Sequence, residues 1–81
     1  MANPNVDETK IAMDMEVVGS DGQHVGTVDR VEGDQIKLTK NDPDAGGQHH
    51  KISLESVASV DQNKVKLSEP ANAAKANWTT A

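Results

Sequence analysis

The sequence predicts an all-β fold, a small five-stranded antiparallel barrel with a short C-terminal helix. Three observations carry that expectation. Short apolar runs alternate with polar residues at a period of two, as in Ile36-Lys37-Leu38-Thr39 and Lys64-Val65-Lys66-Leu67. Turn signals separate the runs, first Asp21-Gly22 and then Glu32-Gly33-Asp34. The 81 residues contain no Phe or Tyr and a single Trp. A core of Val, Ile, Leu and Met packs in thin layers, and a closed barrel protects strand edges that so short a chain could not otherwise cover.

Each element has its own local reason. Residues 1–12 are polar, contain Pro4 and show no period, so they are expected to be a flexible N-terminal arm. The barrel domain is expected over 13–68. Its first strand covers about 15–19, and Ser20 to Gln23 turn the chain. Asp21-Gly22 suits the positive φ angles of a tight two-residue turn. The second strand covers about 24–31. Gly26 interrupts it, and a glycine inside a strand signals a bulge or a close backbone approach. A bulge would explain why Val25, Val28 and Val31 stand three apart instead of two.

Gly33 marks the next turn, and Gln35 to Lys40 form a half-buried third strand. Asn41 to Gly47 is a turn-rich loop. The fourth strand, about 48–54, directs His50, Ile52 and Leu54 inward and His49, Lys51 and Ser53 outward. Glu55 to Val60 reads as a short helical turn leading into a brief strand, and residues 64–68 form the fifth strand. The tail, 69–81, is alanine-rich. Ser68 as N-cap with Pro70 in the first turn fits a helix start, and Ala74 and Trp78 would dock it on the barrel. The expected core is Val17, Val25, Val28, Ile36, Leu38, Ile52, Leu54, Val57, Val65 and Leu67.

Three segments together resemble a bacterial family of unknown function that is similar to the PRC-barrel domains. They are Val17 to Val31, Asp34 to Thr39 and Gln48 to Leu54. PRC-barrel domains occur in the photosynthetic reaction-centre H subunit and in a ribosome-maturation factor, where they act as assembly or binding modules. The resemblance therefore implies a small β-barrel without catalysis. It supplies no established functional residues.

Composition narrows the function. The net charge of −5 disfavours nucleic acid as a partner, because that binding rests on neutralising phosphates. No cysteine is present, which removes disulfides, thiolate metal sites and cysteine nucleophiles. The N-terminus lacks a signal-peptide core, and no apolar run approaches the roughly 20 residues that span a bilayer. A soluble cytoplasmic protein without membrane insertion is expected.

The site candidates are few. His24, His49 and His50 form the only candidate metal cluster. Neighbours on a strand point to opposite faces, so His49 and His50 do not readily share an ion. A site would need His24, one of that pair, and a carboxylate such as Asp42 or Asp44 from the loop. The loop itself fails as a calcium site, since the twelfth residue counted from Asp42 is Ser53, not Glu. No serine sits in a nucleophile elbow. No cofactor and no enzymatic activity are expected. Lys37, Lys51, Lys64 and Lys66 occupy outward positions of the third, fourth and fifth strands. In a meander they would cluster as a basic patch on an acidic protein. The expected function is a non-catalytic module acting through protein–protein contact or assembly, self-association included. The alternative is a sensor or carrier that binds a metal or small anion through the histidines and the outward lysines.

Overall fold

The computed structural model describes residues 8–61 and 63–80. Its strands are β1 (Glu16–Val18), β2 (His24–Glu32), β3 (Gln35–Leu38), β4 (His50–Ser53), β5 (Val57–Asp61), β6 (Lys64–Leu67) and β7 (Thr79–Thr80). One helix, α1 (Ala71–Asn77), precedes β7. The strands form a single sheet in the order β5-β6-β1-β2-β3-β4-β7. All neighbours are antiparallel except β1 and β6, which run parallel with Val17 opposite Val65.

The expected five-stranded, closed, antiparallel barrel is therefore corrected to a mixed, open sheet of six strands extended by the two-residue β7. The reason lies after β4. A 3-10 turn at Leu54–Ser56 buries Leu54 and leads from the end of β4 directly into β5. The β5–β6 hairpin does not pair with β4 but stands at the other end of the strand order, where β6 pairs with the free edge of β1. Residues 57–61 form a full strand, and among the described residues no ladder joins β5 to β7.

The sheet nonetheless curls around its core. Val17, Val25, Ile36, Val65 and Leu67 are completely buried, although they come from strands spread across the sheet and α1 has only seven residues to cover them. All ten expected core residues belong to one cluster, joined by Ile11, Met15, Ala71 and Ala74. Ile11 thus packs into the core two residues before the expected start of the domain. The expected N-terminal arm falls in part on residues 1–7, which lie outside the described residues. Residues Glu8–Lys10 form a 3-10 turn.

Bulges set the phase of β2. Val17 pairs with Gly26 and Val18 with His24, so Val25 is an extra residue. Val28 pairs with Leu38 and Arg30 with Lys37, so Asp29 is a second one. Two extra residues in one strand account for the three-residue spacing of its valines. Gly26 sits at a close approach to a neighbouring side chain. A Cβ there would lie 2.9 Å from Leu38 Cδ1. The first hairpin is closed by three residues, not two. Gly22 N–H donates to Gly19 O and Gly19 N–H to Gln23 O, with Gly22 at φ 79°. This is a type I turn followed by a left-handed glycine. Gly33, at φ 61°, serves the β2–β3 turn.

The tail is helical only as far as Asn77. Its N-cap is Pro70 without a side-chain cap, in place of the expected Ser68. Asp21 Oδ1 instead accepts from Ala71 N–H at 3.3 Å, and Ser20 N–H donates to Glu69 O at 2.8 Å. The hairpin tip thereby anchors the start of the helix. Ala71 and Ala74 are buried, and Trp78 packs against the core. Residues 79–80, expected to be helical, add to β4 as β7.

Candidate functional site

The shortest side-chain contacts converge on His24, at the start of β2. The β1–β2 register and the bulge at Val25 bring it beside Glu16. The loop after β3 brings Asp42 to its other side. His24 Nδ1 lies 2.9 Å from Glu16 Oε2, and Nε2 lies 2.7 Å from Asp42 Oδ2. The Thr27 hydroxyl donates to the same Asp42 oxygen at 2.7 Å. Asp42 is buried, whereas His24 and Glu16 are about one-third exposed. Burial opposes a charge on His24, yet the bonds from Glu16 and Asp42 outweigh it and raise its pKa above the ordinary value. The His24 imidazole in turn lowers the pKa of Glu16 against the cost of burial, aided by Lys64 at 3.5 Å.

With both nitrogens protonated, the ring donates to a carboxylate at each end. The arrangement ties β1, β2 and the 39–49 loop together. Three potential ligands meet here, but the two carboxylates lie on opposite ends of one imidazole. Among the described residues no group of three or more His, Cys, Asp or Glu is arranged to hold a metal ion.

The other two histidines serve different neighbours. His49 is half-buried, with Nδ1 3.0 Å from Leu38 O and 3.9 Å from Asp29 Oδ2. His50 is buried and stacks on Trp78, with ring centroids 3.9 Å apart and planes within 12°. Among the described residues the Nδ1 of His50 has no hydrogen-bond partner.

The four outward lysines are divided by the topology. Lys64 and Lys66 lie on β6, which is separated from β3 by β1 and β2. Lys37 and Lys51 are direct cross-strand partners. The register adds a cation that the sequence reading missed, since Arg30 on β2 pairs with Lys37 on β3. Arg30, Lys37 and Lys51 thus form one row across three adjacent strands, on the face opposite the core residues Val28, Ile36 and Ile52. Glu32 sits beside the row, 3.1 Å from Arg30 and 3.7 Å from Lys51. The signal for Arg30 was the three-residue spacing of Val28 and Val31. A second bulge at Asp29 is what turns Arg30 outward.

A cavity of about 210 Å³ opens at the Lys51 end of this row, lined among others by Gln35, Ser53, Trp78 and Thr79. It lies where the chain leaves α1 and rejoins β4.

Residues 11–75 match the model of DUF2171, an uncharacterised protein family conserved in bacteria. The chain belongs to this family. Among curated proteins and solved structures, none matches it. The DUF2171 segment contains the His24 cluster and the whole Arg30–Lys37–Lys51 row, whereas Trp78 and β7 follow it. No described helix is long and apolar enough to cross a membrane.

Proposed function

We propose that this DUF2171 chain is a non-catalytic module that works through protein–protein contact on the outer face of β3 and β4. The observation that carries this reading is the direct opposition of Lys37 and Lys51. Like charges facing each other across a ladder destabilise a sheet, and Glu32 beside Lys51 offsets this only in part. A partner bearing the opposite charge would complete the compensation. The His24 cluster supports the same reading, because an imidazole engaged at both nitrogens holds strands together instead of exchanging protons with a substrate. The resemblance to PRC-barrel domains, which act as assembly modules, points the same way.

The test is site-specific photo-crosslinking in the native host. A crosslinking residue at Lys37 should trap a discrete protein band, and one at Lys66 should not. Equal trapping from both positions, or none from Lys37, would overturn the proposal.

A further inference from the structure

The basic row defines the chemistry of the partner as well as its place. We infer that the outer face of β2–β4 receives an acidic segment of a partner protein, with one apolar side chain of that segment entering the cavity beside Lys51. The inference rests on the interaction-module reading above and adds to it the residue Arg30, the cavity and the identity of the bound segment.

Three features of the surface select this occupant. The first is charge. Arg30, Lys37 and Lys51 lie on neighbouring strands at register positions that face one another. Strand spacing places the outer two about 10 Å apart. Glu32 bridges Arg30 and Lys51, so among the described residues the row sets three cations beside one ion-paired carboxylate, in a protein of net charge −5. A local field of this kind orients a small anionic group at short range, while the protein as a whole repels extended polyanions.

The second feature is size. A nucleic-acid backbone gains affinity by engaging many phosphates at once. A row of three cations about 10 Å long matches two or three carboxylates of an extended peptide, whose alternate side chains project every 6–7 Å. The third feature is the cavity. It adjoins Lys51, measures about 210 Å³, and offers an apolar wall of Ile52, Ala74 and Trp78 beside polar residues that include Glu69. Interfaces commonly combine a charged rim with one apolar anchor in a pocket. The stack on His50 holds the indole in place, so the wall is formed before a ligand arrives.

The experiment titrates the full chain with synthetic peptides at low ionic strength. One peptide alternates Glu with Ser around a single Leu. The second lacks the Leu, and the third carries Lys in place of Glu. A single-stranded oligonucleotide and phosphatidylserine vesicles are tested alongside. Trp78, the only tryptophan, reports on the cavity by its emission.

The Glu peptide with Leu should bind and shift that emission. The Glu peptide without Leu should bind more weakly and leave the emission unchanged, and the Lys peptide should not bind. The triple variant R30Q/K37Q/K51Q should lose about tenfold or more in affinity, equivalent to about 1.4 kcal/mol. Lys66→Gln should bind within about twofold, a difference of roughly 0.4 kcal/mol. Circular dichroism of the triple variant should match that of the unaltered chain.

Failure of the Glu peptides to bind, or equal loss in Lys66→Gln, overturns the inference. Binding of the oligonucleotide or the vesicles as tight as that of the Glu peptide also overturns it, in favour of a general polyanion surface. If Lys37 still crosslinks to a host protein while no acidic peptide binds, the partner chemistry is wrong and the interaction-module reading stands.

Discussion

Replacing His24 by Ala removes two contacts at once, at 2.9 Å to Glu16 and 2.7 Å to Asp42. The two are unequal. Glu16 is 39% exposed and retains Lys64 at 3.5 Å, so water and that lysine absorb most of its loss. The Asp42 side chain is 3% exposed and keeps the Thr27 hydroxyl among its partners. A hydrogen bond to a charged group contributes about 1.5–3 kcal/mol. Water entering the space left by the one-third-exposed imidazole offsets part of this, and the expected loss is roughly 2 kcal/mol. That is a large share of the stability of a small domain.

The pH dependence follows from the sign of the shift. The folded-state pKa of His24 is raised, so its contribution is complete below the unfolded value near 6.5 and is lost as pH rises through the folded value. The pKa of Glu16 is lowered, so its contribution holds above about 4.5 and is lost as pH falls through its folded value. Urea denaturation between about pH 5 and 9 should show stability falling on the alkaline side, and His24→Ala should flatten that limb. A loss below about 0.5 kcal/mol, or a wild-type stability that climbs from pH 6.5 to 8, would refute the His24 tie as described.

Three further outcomes are expected. Leu38→Ala should cost about 2–5 kcal/mol in chemical denaturation, because Leu38 is 1% exposed and packs directly over Gly26. Gly19→Ala should cost about 1–3 kcal/mol and loosen α1 by circular dichroism, since the new Cβ would lie 2.3 Å from the backbone nitrogen of Ala71. Lys37→Gln should stabilise the fold by about 0.2–1 kcal/mol at low salt through relief of its opposition to Lys51. That gain should vanish near 1 M salt, where screening acts over about 3 Å.

Local pattern made the core legible. Period-two alternation in Gln35–Leu38 and Lys64–Leu67 assigned inner and outer faces correctly, and the ten expected core residues all pack together. What alternation does not encode is which strands become neighbours. The turn at Leu54–Ser56 looks locally like any short connection, yet after it the β5–β6 hairpin pairs onto β1 instead of β4. That step turned an expected antiparallel barrel into an open mixed sheet and split Lys64 and Lys66 from Lys37 and Lys51.

The site was legible in its parts and not in its assembly. Sequence pattern offers Asp42 to His24 only as a metal ligand alongside another histidine. The structure makes it a hydrogen-bond partner, and Glu16 completes the set through cross-strand register. Arg30 was hidden by the bulge at Asp29, which changes the phase of β2 between two valines. Sequence pattern marks Trp78 as an apolar anchor. Its stacking on His50 depends on a contact between residues 28 positions apart, which no local pattern carries.

The most direct measurement is the map of backbone amide shifts when the isotopically labelled full chain is titrated with the Leu-containing Glu peptide. The largest changes should fall on Arg30, Lys37, Lys51 and Ser53, extend to the indole N–H of Trp78, and spare Lys64 and Lys66. Changes centred on Asp21, His24 and α1, or on β5 and β6, would place the binding surface elsewhere and contradict the assignment of the β2–β4 face.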